Sequence, residues 1–155
     1  MVPQVVRRAF SSTAGRAVHR FPRALAPKTP PGDGRGVSTT SALGVHGERI
    51  AVSYLTDHGF RVLDRNWRCR EGELDIVARD GDALVFCEVK TRSGVGYGHP
   101  VEAVTGVKQR RLRTLAHRWL ADHDEHAPEL RFDVVGVLVR ASRPAVVTHL
   151  RAAFL

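Results

Sequence analysis

Several features are scarce in this chain of 155 residues, and each scarcity excludes a class of protein. The two cysteines, Cys69 and Cys87, are too few for a disulfide framework and lack the spacing of zinc ligands. The longest apolar run, "VVGVLV" at 134–139, is far shorter than the roughly 20 residues of a membrane-spanning helix. The eight histidines are scattered and form no recognisable ligand motif. The sequence therefore predicts a soluble protein of a reducing compartment, with no membrane segment.

Positive charge is concentrated at the N-terminus. Of the net charge of +8, residues 1–40 contribute +6 and the other 115 residues only +2. Residues 1–40 show no sustained hydrophobic period, so they are expected to form a disordered basic extension before a single domain at 41–155. Their Arg-rich, acid-poor composition is typical of a mitochondrial transit peptide. An upstream start codon on a bacterial cytoplasmic protein is the favoured alternative, because Ala and Arg are abundant throughout the chain.

Hydrophobic periodicity after residue 40 predicts the order α, β, β, β, α, β, β. The first helix is predicted within 44–59 and ends at Gly59, and the second runs from Pro100 to about His123. Strands are predicted at 60–69, 73–79, 83–91, 130–139 and 145–154. This order is typical of an α/β domain with a mixed β-sheet flanked by helices.

Charged residues interrupt two of these apolar strands, although burying charge is costly. Side chains on a strand alternate between faces, so Glu88 and Lys90 share one face of their strand. In the preceding strand the same rule places Asp75 and Val77 on one face and Leu74 on the other.

The hairpin between these strands determines how the carboxylates meet. A two-residue loop at Gly81–Asp82 would place Asp75 directly opposite Glu88, with Cβ atoms roughly 5 Å apart. A loop at Asp80–Gly81 would make Asp75 and Glu88 diagonal neighbours. Both registers place the two carboxylates on one face of the sheet.

A third acid, Glu48, lies on an apolar flank of the first helix and is expected near this pair. Carboxylates about 5 Å apart repel by roughly 3 kcal/mol per pair at an effective dielectric constant near 20. That repulsion exceeds what one lysine at a surface contact returns. A divalent cation between the carboxylates removes the conflict, and ligation by oxygen alone favours Mg²⁺ or Mn²⁺ over zinc.

These residues and their surroundings carry a family resemblance. Asp75, followed after twelve residues by Glu88-x-Lys90 and preceded by a helix with Glu48, resembles the PD-(D/E)xK nuclease superfamily. The blocks "GERIAVSYL", "DRNWRCREGELDIVARDG", "FCEVKTR", "GHPVEAVTGVKQRRL" and "RFDVV" resemble more closely the bacterial UPF0102 (YraN-like) family, which is similar to archaeal Holliday junction resolvases. The residue before Asp75 is Leu74, whereas the motif that names the superfamily has a proline before its aspartate.

The resemblance implies a restriction-endonuclease-like fold and metal-dependent cleavage of DNA, with branched or structured DNA as one substrate class. It implies that Asp75, Glu88 and the main-chain carbonyl of Val89 hold the metal. Lys90 would orient or activate the attacking water, and Glu48 would add a carboxylate. Resolvase-like folds often act as dimers, so a homodimer is also expected.

A basic run on the second helix is the other candidate for contact with nucleic acid. Its side chains could follow a phosphate backbone, or they could form an ordinary solvated helix face, and the sequence favours neither. The run comprises Lys108, Arg110, Arg111 and Arg113. A nucleic-acid-binding protein that keeps the fold without catalysis is therefore the alternative function.

Two other residues have alternative interpretations. Trp67 is expected in the core rather than stacked on a base. Asp133 either supports the metal site or pairs with a neighbouring arginine, and the sequence does not decide between these roles.

Overall fold

One mixed β-sheet organises the chain in the computed structural model, which describes residues 5–10, 39–94 and 105–154. Its strands and helices, in chain order, are β1 (Val5–Phe10), α1 (Thr39–Asp57), β2 (Arg61–Cys69), β3 (Gly72–Asp80), β4 (Ala83–Ser93), α2 (Gly106–Asp122), β5 (Glu129–Arg140) and β6 (Arg143–Phe154). From α1 onward the predicted order is confirmed. The predicted helix from Pro100 is wrong at its start, because α2 begins at Gly106 and Thr105 caps it in a non-helical conformation, with its hydroxyl accepting from the Lys108 N–H. Residues 95–104, which contain most of the glycine-rich loop at 93–99, lie outside the described residues.

The strands lie in the spatial order β1-β6-β5-β4-β3-β2. All neighbouring pairs are antiparallel except β4 and β5, which are parallel and are joined through α2. Parallel neighbours require such a crossover because the chain must return to the same end of the sheet. The result is an α/β fold, consistent with a restriction-endonuclease-like fold.

Each helix buries its apolar stripe against one face of the sheet. The α1-side core contains Ala51, Tyr54 and Leu55 of α1 with Ile76, Ala78, Val85 and Cys87 of the central strands. The α2-side core contains Leu112, Leu115, Ala116 and Trp119 of α2 with Leu74, Val77, Leu84 and Phe86. Trp67 packs against the α2-side core, as expected. None of the helices among the described residues has the length and apolarity needed to cross a membrane.

The first strand lies within residues 1–40, which the sequence predicts to be a disordered extension. Residues Val5–Phe10 form β1, which pairs antiparallel with Ala145–Leu150 of β6, and α1 begins at Thr39. Edge pairing of this kind depends on main-chain hydrogen bonds, so it does not need the sustained hydrophobic period that the segment lacks. The rest of the extension lies outside the described residues.

A buried polar network joins β5 to β6. Asp133 is 1% exposed, and its carboxylate accepts hydrogen bonds from Arg131 (3.0 and 3.1 Å), from His149 Nε2 (2.9 Å) and from the main-chain N–H of Ala152 (2.9 Å). Burial would raise the pKa of Asp133, but the hydrogen bonds of His149 and Arg131 lower it below its usual value. Asp133 thus pairs with the neighbouring arginine, one of its two predicted roles.

Candidate functional site

The candidate site lies where β3 and β4 separate. Their antiparallel ladder runs from Asp80–Ala83 to Ile76–Cys87 and ends there. Beyond it, β3 remains paired with β2 alone, and β4 remains paired with β5 as far as Ser93–Val139. We call this opening between the two strands the fork. Within the described residues, main-chain groups on its walls have no ladder partner across the opening, so side chains can bind there.

Asp75 lies on one wall of the fork and bonds to the other. Its Oδ2 atom accepts a hydrogen bond of 2.7 Å from the main-chain N–H of Val89. The two groups of one strand residue point to the same side, so the carbonyl of Val89 also faces β3. A carboxylate and a main-chain carbonyl therefore border the same opening.

The alternation of side chains is broken next to Asp75. Leu74 and Val77 both pack in the α2-side core, although strict alternation would place them on opposite faces. The expectation that Leu74 faces away from Val77 is therefore wrong. Asn66, which lies across from Asp75 on β2, has a φ of +52°, and such left-handed backbone marks a local irregularity in the strand.

Glu88 and Lys90 form an ion pair on β4. The amine of Lys90 donates a hydrogen bond to Glu88 Oε1. The side chain of Lys90 is 37% exposed and that of Glu88 is 19% exposed. Burial would lower the pKa of Lys90, but the hydrogen bond and charge of Glu88, with a contribution from Asp75, raise it above its usual value. Lys90 is therefore a protonated amine at neutral pH, able to donate to an anion.

Burial and neighbouring negative charges together raise the pKa of Asp75. The pKa of Asp75 is raised to about 7, mainly by burial and also by the charges of Glu88 and Glu48, against the opposing effects of the Val89 N–H and Lys90. The structure thus brings Glu48, Asp75, Glu88, Val89 and Lys90 into one neighbourhood. Ionised Asp75 is unfavourable in this environment, and a bound cation would offset that cost.

A glycine brings α1 close enough for Glu48 to act on Asp75. Gly47 is buried against Thr91 of β4, and a Cβ atom on Gly47 would lie only 2.7 Å from Thr91 Cβ. Glu48 is the next residue of α1. This close approach is a role for Gly47 that the sequence analysis did not anticipate, because it depends on a contact between residues 44 positions apart.

Replacement of Gly47 by alanine is expected to destabilise the protein by about 1–3 kcal/mol, because Thr91 and the helix must move apart. A glycine-to-alanine change in a helix otherwise stabilises by up to about 1 kcal/mol. Gly44→Ala is the matched control, since a Cβ at Gly44 meets no atom within 4 Å. Urea denaturation measures both. Equal stabilisation by the two changes would contradict the close contact.

The donor set suits a hard cation but is incomplete without other ligands. Asp75 and Glu88 offer carboxylate oxygens and Val89 a carbonyl oxygen, a set typical of Mg²⁺ or Mn²⁺. Among the residues that the structure describes, no three His, Cys, Asp or Glu side chains are arranged to hold a metal ion. Mg²⁺ commonly binds through one or two carboxylates and completes its shell with water and substrate phosphate, so two carboxylates fit this ion.

The structure divides the basic run of α2. Lys108 lies beside Lys90, whose charge lowers the pKa of Lys108 below its usual value. The guanidinium of Arg111 packs on Gly72 at the start of β3, where a Cβ would lie 2.9 Å from Arg111 Nε. Arg113 instead lies over the ring of Phe154, 5.4 Å from its centroid. Only the first two of these side chains therefore approach the fork.

Helical spacing gives a signal for Lys108 that the sequence analysis did not use. Lys108 precedes Leu112, Leu115 and Trp119 by four, seven and eleven residues, so it continues their buried stripe. A lysine in such a position at the end of a helix reaches past the core toward whatever lies beyond it. In this fold, that neighbour is the fork.

Comparisons with known proteins identify relatives without assigning an activity. The family model described as "Uncharacterised protein family UPF0102" matches residues 47–137, a range that contains all the candidate residues named above. A UPF0102 protein of Beutenbergia cavernae is 59% identical over 110 residues, covering 71% of this chain and 93% of the relative. Another, of Rhodococcus jostii, is 53% identical over 113 residues, covering 73% and 96%. A third, of Kineococcus radiotolerans, is 55% identical over 114 residues, covering 73% and 93%.

Proposed function

The chain belongs to the uncharacterised protein family UPF0102, and from the charged groups at its fork we propose a divalent-metal-dependent endonuclease that hydrolyses phosphodiester bonds in DNA. The observation that carries this proposal is the state of Asp75. Its pKa of about 7 reflects burial next to Glu88 and Glu48. Strongly perturbed carboxylates in an opening are typical of functional sites, because such an arrangement does not stabilise a fold.

Asp75, Glu88 and the carbonyl of Val89 would hold Mg²⁺ or Mn²⁺ in this proposal. When bound, the ion supplies a water that loses its proton near neutral pH and neutralises charge on the phosphate oxygens. The carboxylate of Glu48 adds negative charge beside Asp75 and so favours the cation over a proton at Asp75. The Val89 N–H keeps the Asp75 carboxylate oriented across the fork.

Lys90 positions the phosphate in this proposal. Its amine is held by Glu88 and remains protonated, so it can donate one hydrogen bond to Glu88 and another to a phosphate oxygen or to the attacking water. A lysine has three N–H donors, so both bonds can form at once.

The substrate and location are proposed on broader grounds. The resemblance to resolvases supports branched or otherwise structured DNA, and it supports a homodimer, because a junction presents two equivalent strands. The bacterial relatives support the bacterial cytoplasm, where such DNA is found.

Cleavage assays test the proposal with linear duplex, single-stranded and four-way-junction DNA. Wild type is expected to cut at least one substrate with Mn²⁺ or Mg²⁺ and none with EDTA. Lys90→Ala is expected to cut about 10²–10³-fold more slowly, because a donor to the developing negative charge is lost. Arg143→Ala is the control for loss of one positive charge, since Arg143 is exposed at the start of β6, a strand that does not border the fork.

Two other results would count against the proposal. Undiminished cutting by Lys90→Ala would indicate a contaminant or a different site. Absence of cutting on every substrate, with equal DNA affinity in EDTA and in Mg²⁺, would instead support a non-catalytic nucleic-acid-binding protein.

A further inference from the structure

We propose that Lys108 and Arg111 of α2, together with Lys90 of β4, form a phosphate-binding subsite beside the Asp75–Glu88 pair. The identification of this phosphate as part of a DNA backbone rests on the proposed function. The capacity to bind a phosphate group does not, because it follows from three cationic side chains gathered around one opening.

Lys108 is directed at the fork by its place on α2. It continues the stripe of Leu112, Leu115 and Trp119, all buried against the sheet. Its own position lies one turn beyond the last buried residue, so its side chain extends past the core and its amine comes beside that of Lys90. An apolar residue would suit a continuous stripe, and the lysine instead brings a second ammonium group to the fork.

Arg111 reaches the same region from the next turn of α2. Its guanidinium lies against Gly72, whose lack of a side chain leaves the space. Gly72 has a φ of +144°, a conformation that favours glycine, and it begins the strand that carries Asp75 three residues later. A larger residue at 72 would push the guanidinium away from β3.

Lys108 and Arg111 have no carboxylate partner among the described residues. Within the described part of the chain, neither Lys108 nor Arg111 has a carboxylate within salt-bridge distance, and the first turn of α2 contains no acidic residue. Glu88 already pairs with Lys90. Adjacent ammonium groups repel unless an anion lies between them, and a phosphate offers several oxygens to lysine and arginine donors at once.

Arg110 and Arg113 of α2 do not share this arrangement. Arg113 lies over Phe154, and the guanidinium of Arg110 lies back toward Gly106, 3.7 Å from the position of a Cβ there. The structure therefore separates two subsite residues from a run of basic residues that looks uniform in the sequence.

Titration with inorganic phosphate tests the subsite without metal or DNA. Amide chemical shifts of the ¹⁵N-labelled protein are followed in EDTA at constant ionic strength, with chloride exchanged for phosphate. Wild type is expected to show saturable shifts around Lys108 and Arg111. Lys108→Ala is expected to weaken phosphate affinity about tenfold, Lys108→Arg to restore it, and Arg143→Ala to leave it unchanged. Shifts that do not saturate in wild type, or equal affinity in Lys108→Ala, would overturn the subsite.

The phosphate titration and the cleavage assay test the two proposals separately. Asp75→Ala is expected to retain phosphate binding, because it removes a nearby negative charge and no cation. Metal-dependent cleavage by a wild-type protein that binds no phosphate would overturn the subsite and leave the nuclease proposal standing. Saturable, Lys108-dependent phosphate binding without any cleavage would support the subsite and count against the nuclease.

Discussion

Replacement of Asp133 by alanine is expected to destabilise the protein by about 3–5 kcal/mol, a large share of the roughly 5–15 kcal/mol that stabilises an ordinary domain. Asp133 is almost completely buried and accepts four hydrogen bonds, two of them from Arg131. Its removal leaves the Arg131 guanidinium with Asp80 as its remaining carboxylate partner among the described residues. It also leaves the His149 ring nitrogen and the Ala152 N–H without their acceptor, and unpaired buried donors are costly.

Urea denaturation measures the stability lost in Asp133→Ala and compares it with the stability lost when a surface ion pair is removed. Glu73→Ala is the control, because Glu73 pairs with Arg68 on the surface, with side chains 45% and 73% exposed. Exposed pairs of this kind contribute about 0–1 kcal/mol. If Asp133→Ala and Glu73→Ala lowered the free energy of unfolding equally, the buried network would not stabilise the pairing of β5 and β6 as its hydrogen bonds indicate.

Replacement of Asp75 by asparagine is expected to weaken Mn²⁺ binding at least about a hundredfold and to reduce DNA cleavage below detection. Asparagine can still accept the hydrogen bond from Val89, but it carries no charge, so the fork keeps its shape and loses half of its carboxylate pair. Even changes outside the ligand set commonly weaken metal binding by 10–100-fold. Calorimetric titration of Mn²⁺ into wild type and Asp75→Asn, alone and with a four-way junction, measures the loss. Equal affinities would remove Asp75 from the metal site.

The same variant should be more stable than wild type when no metal is present. The pKa of Asp75 rises from 3.8 in an unperturbed carboxyl to about 7 in the fold, so between about pH 4 and pH 7 the folded state binds more protons than the unfolded state. Wild-type stability therefore falls as the pH rises through this range. The upper limit of the cost is about 4 kcal/mol, and partial exposure reduces it to about 2 kcal/mol.

Asp75→Asn lacks this pH-dependent cost. In EDTA it should be more stable than wild type by about 2 kcal/mol at pH 8, and the advantage should vanish near pH 4. Asp82→Asn, in the exposed β3–β4 turn, is the control and should show no such trend. Parallel stability curves for wild type and Asp75→Asn would show that the fork does not hold a proton on Asp75. Loss of metal binding together with gain of stability would also exclude misfolding as the cause.

The sequence predicts the strands and helices well where local pattern decides them. The stripe of Leu112, Leu115 and Trp119 is buried as its spacing indicates, and the strands at 83–91 and 130–139 lie within β4 and β5. The sequence leaves two positions open for the loop of the β3–β4 hairpin, Gly81–Asp82 and Asp80–Gly81. The structure pairs Asp80 with Ala83, so the loop is Gly81–Asp82. Asp80 is held in the strand because its carboxylate bonds to Arg131 and Arg151, contacts that no local pattern contains.

The rest of the site depends on contacts between distant parts of the chain. Alternation predicts a shared face for Asp75 and Val77 but not the reversal beside Asn66, which places Leu74 with Val77. Composition identifies a basic helix but does not distinguish Lys108, beside Lys90, from Arg113, over Phe154. These distinctions arise when α2 packs on the sheet, a step that periodicity alone leaves undetermined.

The short ladder between β3 and β4 has a mechanical consequence. Among the described residues, the β-ladder that joins the β2–β3 hairpin to the larger part of the sheet runs only from Asp80–Ala83 to Ile76–Cys87. Because Asp75 belongs to the hairpin and Glu88 to the larger part, a tilt of the hairpin about this seam changes the separation of their carboxylates. In the proposed metal site, a ligand that bends the sheet at the hairpin would therefore change how strongly the two carboxylates bind a cation.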